Sequence, residues 1–72
     1  MVGRGKILDT FRVGPDMWIY SMWHDKAGHY EVGVSRKMHT QIIEIEGDII
    51  GREIEFWVRD KEVIIRFVDD KH

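Results

Sequence analysis

The 72-residue sequence has no cysteine, a single proline, a single leucine and a single alanine. Without cysteine, the chain can form neither a disulfide nor a cysteine-ligated zinc site to stabilise a core of this size. The sequence also lacks any apolar run near the ~20 residues needed to span a bilayer, and residues 1–6 open no signal peptide. We therefore expect one small domain over residues 1–72, in a soluble cytoplasmic protein.

The abundant residues favour β structure. Ten isoleucines, seven valines, two threonines and eight aromatic residues give 27 β-formers, whereas alanine, leucine and glutamine together total three. Helix-forming apolar residues are nearly absent, so the composition predicts a mainly β chain. Asparagine is missing altogether, and a shortage of heat-labile side chains is typical of thermophilic proteins.

Two turn signals divide the N-terminal half into a three-stranded meander. The first turn is predicted at Pro15-Asp16, and the second at Asp25–Gly28, with Gly28 in the left-handed region. Counting outward from these turns pairs Val13 with Trp18 and His24 with Tyr30. This register predicts one apolar face, made of Ile7, Phe11, Val13, Trp18, Tyr20, Met22, Tyr30, Val32 and Val34.

A hairpin is also predicted at the C-terminal end, with its turn centred on Asp60-Lys61. This turn pairs Phe56 with Ile65 on one face, and Trp57 with Ile64 on the other. Opposite charges also pair across the strands on the Trp57 face, namely Glu55 with Arg66 and Arg59 with Glu62. Because Asp-Lys is not a favoured type I′ dipeptide, a loop longer by one or two residues is the alternative.

Residues 35–47 fit two interpretations. As a helix, the segment has Ser35 as N-cap, a stripe of Met38, Ile42 and Ile45, and Gly47 just past its end. We favour a strand, because consecutive isoleucines are poor helix formers and suit a sheet surface. The expected fold is a small antiparallel barrel or sandwich of 5–6 strands, and the alternative is a β3-α-β2 arrangement. In general layout the glycine-punctuated strands resemble SH3-like and OB-like small barrels, a likeness that does not imply a function.

Residues of the types that carry catalysis or bind metals form no established motif in this sequence. His24 and His29 flank Asp25, but their spacing matches no established ligand motif and no third ligand is evident. The predicted register places Asp9 among apolar residues, as a general acid with a raised pKa would be, although an inward Asp commonly bonds a backbone amide at a bulge. Neither Ser21 nor Ser35 stands in a nucleophile motif. We therefore expect no enzymatic activity, no metal and no cofactor.

Charge is distributed unevenly along the chain. Residues 1–41 carry six cations and four carboxylates, whereas residues 42–72 carry five cations and nine carboxylates. Aromatic residues among cations are typical of small β-barrels that bind nucleic acid, although the excess of positive charge here is slight. This alternative function would use Arg12, Trp18, Tyr20, Trp23, Arg36 and Lys37.

Apolar side chains also fall on strand faces that alternation assigns to solvent. These are Leu8, Ile19 and Trp23 in the meander, and Trp57 and Ile64 in the C-terminal hairpin. They are either covered by the isoleucines of the middle segment or exposed as an interaction surface. The leading prediction is a protein-interaction module, either a homodimer or a small inhibitor or adaptor. Its predicted interface is Trp57 and Ile64, framed by Glu55, Arg59 and Arg66.

Overall fold

The computed structural model describes residues 2–68 as five strands and one helix. The elements are β1 (Val2–Val13), β2 (Met17–His24), β3 (Gly28–Ser35), α1 (Arg36–Glu46), β4 (Glu53–Arg59) and β5 (Glu62–Phe67). The strands form one antiparallel sheet in the order β3-β2-β1-β4-β5. The predicted mainly β class is confirmed, and the element order is that of the β3-α-β2 alternative. The sheet is not closed into a barrel.

The long strand β1 joins the two halves of the sheet. Its first residues pair with β4, and from Lys6 to Val13 it pairs with β2. A bulge between Ile7 and Asp9 marks the change of partner. At that point the Ile7 amide donates to the Arg52 carbonyl at 2.9 Å, and the Gly51 amide donates to the Ile7 carbonyl at 2.7 Å. The bulge therefore lets one strand serve two neighbours while the loop before β4 satisfies its backbone.

The predicted register of the first hairpin is wrong by one residue. Val13 pairs with Met17 rather than with Trp18, because Gly14 has a φ of 73° and the turn occupies three residues, Gly14 to Asp16. A shift of one residue in the pairing moves the side chains of a strand to the other face of the sheet. The bulge adds one residue to β1, so the residues before the bulge keep their predicted face. Ile7 consequently remains in the core, whereas Phe11 and Val13 lie on the opposite, outer face.

The second hairpin differs from its prediction by two residues, which leaves the faces unchanged. His24 pairs with Gly28, and Met22 pairs with Tyr30. Gly28 has a φ of 73°, so its predicted left-handed conformation is confirmed, although it lies at the first position of β3. The side chains of Tyr20, Met22, Val32 and Val34 are buried on the predicted inner face.

The C-terminal hairpin has the predicted register throughout. Phe56 pairs with Ile65, and Trp57 pairs with Ile64. The predicted turn at Asp60-Lys61 is confirmed, and the alternative of a longer loop does not occur, because these two residues alone form the turn, with φ values of 53° and 66°. Positive φ at both central residues is the geometry of a type I′ turn, whose twist matches that of the flanking strands.

Residues 36–46 form a helix, so the favoured strand assignment is wrong. The Ser35 hydroxyl accepts a hydrogen bond from the Met38 amide at 3.2 Å, and the Gly47 amide donates to the Ile43 carbonyl at 2.9 Å. These caps satisfy backbone groups at both ends, which offsets the weak helix propensity of the isoleucines. The helix buries His39 and Ile42 against the inner face of the sheet, whereas Ile45 is exposed.

The core lies between the inner face of the curved sheet, α1 and the loop that follows it. Arg52 in that loop forms an ion pair with Glu46 at 3.1 Å and lies 4.7 Å from the centre of the Phe67 ring. These contacts hold the loop against both the helix end and β5. The buried residues are Ile7, Tyr20, Met22, Val32, Val34, Ile42, Ile49 and Ile54. Within residues 2–68, no helix is long and apolar enough to cross a membrane.

Candidate functional site

A group of exposed apolar side chains lies on the outer face of β1 and β2. Phe11 lies opposite Ile19, and Val13 lies opposite Met17. Phe11, Val13 and Met17 are 40%, 49% and 44% exposed, and Ile19 is half-buried between them. We call these four residues the outer patch. Because α1 packs on the inner face, no element among residues 2–68 covers the patch.

Sequence reasoning missed three of the four members of the outer patch, and it assigned Met17 to neither face. Strict alternation placed Phe11 and Val13 in the core, whereas the slipped register and the bulge turn them outward. Gly14 before Pro15 was the available signal, since a glycine at the start of a turn permits a positive φ and one more turn residue. The bulge itself has no sequence marker here, because it forms at Leu8, between two residues that fit a regular strand.

A second row of side chains crosses the outer face beyond Ser21. Lys6, Trp23 and His29 are neighbours in this row, on β1, β2 and β3 respectively. The Trp23 side chain is 46% exposed. Beside it, the Ser21 hydroxyl and His29 Nε2 are hydrogen-bonded at 2.6 Å, which gives the buried serine hydroxyl a hydrogen-bond partner. Leu8 and Trp23 are therefore exposed rather than covered by the middle segment, whose Ile42 and Ile49 belong to the core.

The predicted interface residues of β4 and β5 lie together on the outer face. Trp57 and Ile64 are directly opposite each other and half-buried. Glu55 and Arg66 form an ion pair beside them, and Arg59 is exposed at the end of β4. A charged band separates Trp57 and Ile64 from the row of Trp23, because Arg4 also contacts Glu53 at 3.0 Å on the same face. The outer face thus has two apolar areas, the outer patch and the pair of Trp57 and Ile64, with ion pairs between them.

The residues predicted for nucleic-acid binding do not share one surface. Trp18 and Tyr20 lie on the inner face, where Tyr20 is fully buried, whereas Trp23 lies on the outer face. Arg36 and Lys37 begin α1, and the Arg36 guanidinium is 3.9 Å from the Asp16 carboxylate. Arg12 lies opposite Trp18 near the end of β1. A base cannot stack on Tyr20 without opening the core.

Trp18 and Tyr20 instead form a cluster with His39 of the helix. The His39 ring stacks on Trp18, with 3.8 Å between ring centres, and its Nδ1 is hydrogen-bonded to the Tyr20 hydroxyl at 2.7 Å. Burial lowers the pKa of His39 and raises the pKa of Tyr20, so both side chains are neutral near pH 7. The cluster fixes α1 on the sheet through a hydrogen bond and a stack.

The remaining candidates for chemistry are dispersed. Asp9 is exposed on the outer face and accepts a hydrogen bond from the Thr10 amide at 2.9 Å, so the prediction of an apolar environment is wrong. The slipped register again explains the difference. His24 and His29 lie on opposite faces of the sheet, as their positions on β2 and β3 require. Among residues 2–68, no group of three or more His, Cys, Asp and Glu side chains is placed to hold a metal ion.

Comparisons with protein-family models, with curated proteins and with solved structures find no match to this chain.

Proposed function

We propose that this protein is a non-enzymatic protein-interaction module that binds through the outer face of its sheet. The observation that carries the proposal is the outer patch, in which Phe11, Val13 and Met17 are each at least 40% exposed in adjoining cross-strand positions. Single exposed apolar residues are ordinary, but a contiguous group rimmed by polar residues commonly marks an interface. The helix is already packed on the other face of the sheet, so it cannot cover this group.

The partner in this proposal is a second copy of the chain. A 72-residue domain without disulfides buries a small core, and an apolar contact with another copy adds to its stability. A two-fold interface presents the same surface from both copies, which suits a face with ion pairs between two apolar areas. Trp57 and Ile64 form the second contact area, and Arg66 and Glu55 lie at its border.

Sedimentation equilibrium tests this proposal directly. We expect the 8.6 kDa chain to sediment as a dimer at micromolar concentration. Replacing Met17 with serine removes an exposed apolar side chain from the outer patch and should shift the equilibrium toward the monomer. Ile45→Ser is the matched control, because Ile45 is 77% exposed on α1 and lies outside both apolar areas. Trp57→Glu tests the second area, since a carboxylate buried at a closed interface is costly.

The result for the parent chain decides the homodimer. A parent that remains at 8.6 kDa up to high micromolar concentration refutes it, and the outer patch would then have to bind a different protein. A dimer that Met17→Ser and Trp57→Glu leave unchanged would place the contact elsewhere on the molecule. If Ile45→Ser dissociates the dimer as strongly as Met17→Ser does, the contact also lies elsewhere.

Single-stranded nucleic acid is the second candidate ligand, because an exposed aromatic ring lies beside a cation on the outer face. Trp23 is next to Lys6 in the sheet, and proteins that bind single strands combine cations with aromatic side chains on which bases stack. Trp23→Ala should then cost about 1–3 kcal/mol of affinity for a fluorescent oligonucleotide. The matched control is Trp57→Ala, and absence of any anisotropy change at low salt would exclude this function.

A further inference from the structure

A cleft lies on the inner side of the molecule, where the sheet does not close. The two edge strands, β3 and β5, approach each other across the core, and residues of both strands and of the second hairpin loop line the cleft. The cleft has a volume of about 780 Å³. Small-molecule sites commonly have volumes of about 300–1,000 Å³. The outer patch is on the opposite face of the sheet, so the cleft is a separate feature.

The floor of the cleft is an aromatic pair that two glycines make possible. Tyr30 of β3 and Phe56 of β4 have ring centres 6.0 Å apart, on the inner side of β1. A Cβ atom at Gly3 would be 2.2 Å from Phe56 Cζ, and one at Gly5 would be 2.6 Å from the Tyr30 hydroxyl oxygen. The rings therefore occupy space that any other residue on β1 would fill. The Tyr30 hydroxyl also donates to the Arg4 carbonyl at 2.7 Å, which fixes its ring.

The walls of the cleft are aliphatic. Val32 of β3 borders one side, and Val58 and Val63 of the C-terminal hairpin border the other. Val58 is 52% exposed, although it lies on the same face of β4 as the buried Ile54. An apolar group that enters the cleft would therefore remove valine and aromatic surface from water at once.

The mouth of the cleft is polar, and it contains groups that bind anions. Lys26 borders it from the loop of the second hairpin, and His24 borders it from the end of β2. His24 Nδ1 accepts hydrogen bonds from the amides of Lys26 and Ala27 at 3.1 and 3.4 Å, so in the neutral ring the proton resides on Nε2. Glu31 also borders the cleft, but it lies opposite Ser21, which faces outward. Of the other charged neighbours, Arg4 has its guanidinium directed to Glu53.

We propose that this cleft binds a small anionic amphiphile, with its apolar body on Tyr30 and Phe56 and its carboxylate between Lys26 and His24. The aromatic floor and valine walls match the apolar body, and the lysine ammonium and the imidazole Nε2–H match the anionic end. A ligand bound in this way contacts β1, β3, β4 and β5 together. It therefore bridges the two edge strands, which are not hydrogen-bonded to each other.

NMR titration of the isotopically labelled chain with decanoate tests the site, and decanol is the uncharged control. We expect decanoate to shift the amide signals of the residues that line the cleft, with those of Gly3, Tyr30, Val58 and Val63 among them. Lys26→Ala should weaken decanoate binding about two- to fivefold, as expected for an exposed ion pair, and should leave decanol binding unchanged. This change is in an exposed loop, so it does not threaten the fold.

A pair of matched valine substitutions separates this site from the outer patch. Val58→Glu puts a carboxylate into the cleft and should weaken decanoate binding by about tenfold or more, because it repels the anion and makes the wall polar. Val13→Glu is the control, since Val13 is 49% exposed on a strand of the other face. It should leave decanoate binding unchanged while it weakens self-association, so the two proposals fail independently.

Three results would overturn the proposal. The first is the absence of shifts at the cleft at low millimolar decanoate. The second is equal affinity for decanoate and decanol, or an equal loss of both in Lys26→Ala, because the mouth would then not recognise the anion. The third is a set of shifts on the outer face that Val13→Glu removes and Val58→Glu does not.

Discussion

Replacing Tyr20 with phenylalanine removes one hydroxyl group from the core and keeps the ring that fills it. The hydroxyl oxygen is 2.7 Å from His39 Nδ1, and both side chains are buried. Without this partner the imidazole nitrogen remains in a place from which water is largely excluded, and an unsatisfied buried polar group costs about 1–3 kcal/mol. In a domain of this size each kcal/mol lowers the melting temperature by about 4–8 °C. Tyr20→Phe should therefore melt at least about 4 °C below the parent.

A double-mutant cycle shows whether the hydrogen bond causes this loss. His39→Phe keeps an aromatic ring against Trp18, on which His39 stacks at 3.8 Å, but it removes the ring nitrogens. Adding Tyr20→Phe to that variant leaves no unsatisfied group and should cost much less than Tyr20→Phe in the parent. Urea and thermal unfolding followed by circular dichroism measure both steps. An equal cost in the two backgrounds, or no cost in the parent, would refute the reasoning.

The pH dependence of stability supplies an independent test of the same cluster. Burial holds the pKa of His39 in the folded protein below the ordinary value of about 6.5 that it regains on unfolding. The unfolded chain therefore binds a proton at a higher pH, so the contribution of His39 to stability is complete above about pH 6.5. It is lost progressively as the pH falls from there through the folded-state pKa. Between pH 7.5 and 5 the parent should lose more stability than His39→Phe, and identical losses would contradict this assignment.

Two further predictions concern the backbone. Gly5→Ala should destabilise the fold by about 1–3 kcal/mol, because its Cβ would be 2.8 Å from the Trp23 carbonyl oxygen. Gly33→Ala should be neutral or stabilising, because the atom nearest to its Cβ would be Met17 Sδ at 3.4 Å. Urea unfolding of the two variants measures the difference, and equal stabilities would contradict the close approach at Gly5. Replacing Asp60-Lys61 with Asn-Gly should stabilise the hairpin by about 1 kcal/mol, since both residues have positive φ, and an unchanged urea midpoint would contradict the turn geometry.

Local sequence determined those parts of the fold in which a short turn sets the register by itself. The C-terminal hairpin is one such case, because Asp60-Lys61 is flanked by alternating residues and all the predicted pairs form. Gly28 is another, since the left-handed position of the second hairpin loop favours glycine. The second hairpin nevertheless closes two residues tighter than predicted. Its faces survive that error because side chains repeat every two residues along a strand.

Tertiary packing decided the conformation of residues 36–46. Their isoleucines favour a strand by propensity, and Ser35 and Gly47 fit either a helix or a turn. The helix is retained because His39 and Ile42 bury against the sheet and His39 finds both a stacking and a hydrogen-bonding partner there. These partners belong to β2, about 20 residues earlier, so no local window of sequence contains the reason.

The candidate site depended on both the local sequence and the tertiary structure. The sequence determined that Trp57 and Ile64 face each other beside Glu55 and Arg66, because that hairpin is local. Phe11 and Val13 face outward because Gly14 permits one more turn residue, whereas only the tertiary structure decided the bulge. The bulge forms where β1 exchanges β4 for β2 and the loop at Gly51 and Arg52 bonds Ile7. One extra residue at that point reverses every side chain after it. Side chains that alternation assigns to the core thus become part of an exposed apolar area of the sheet.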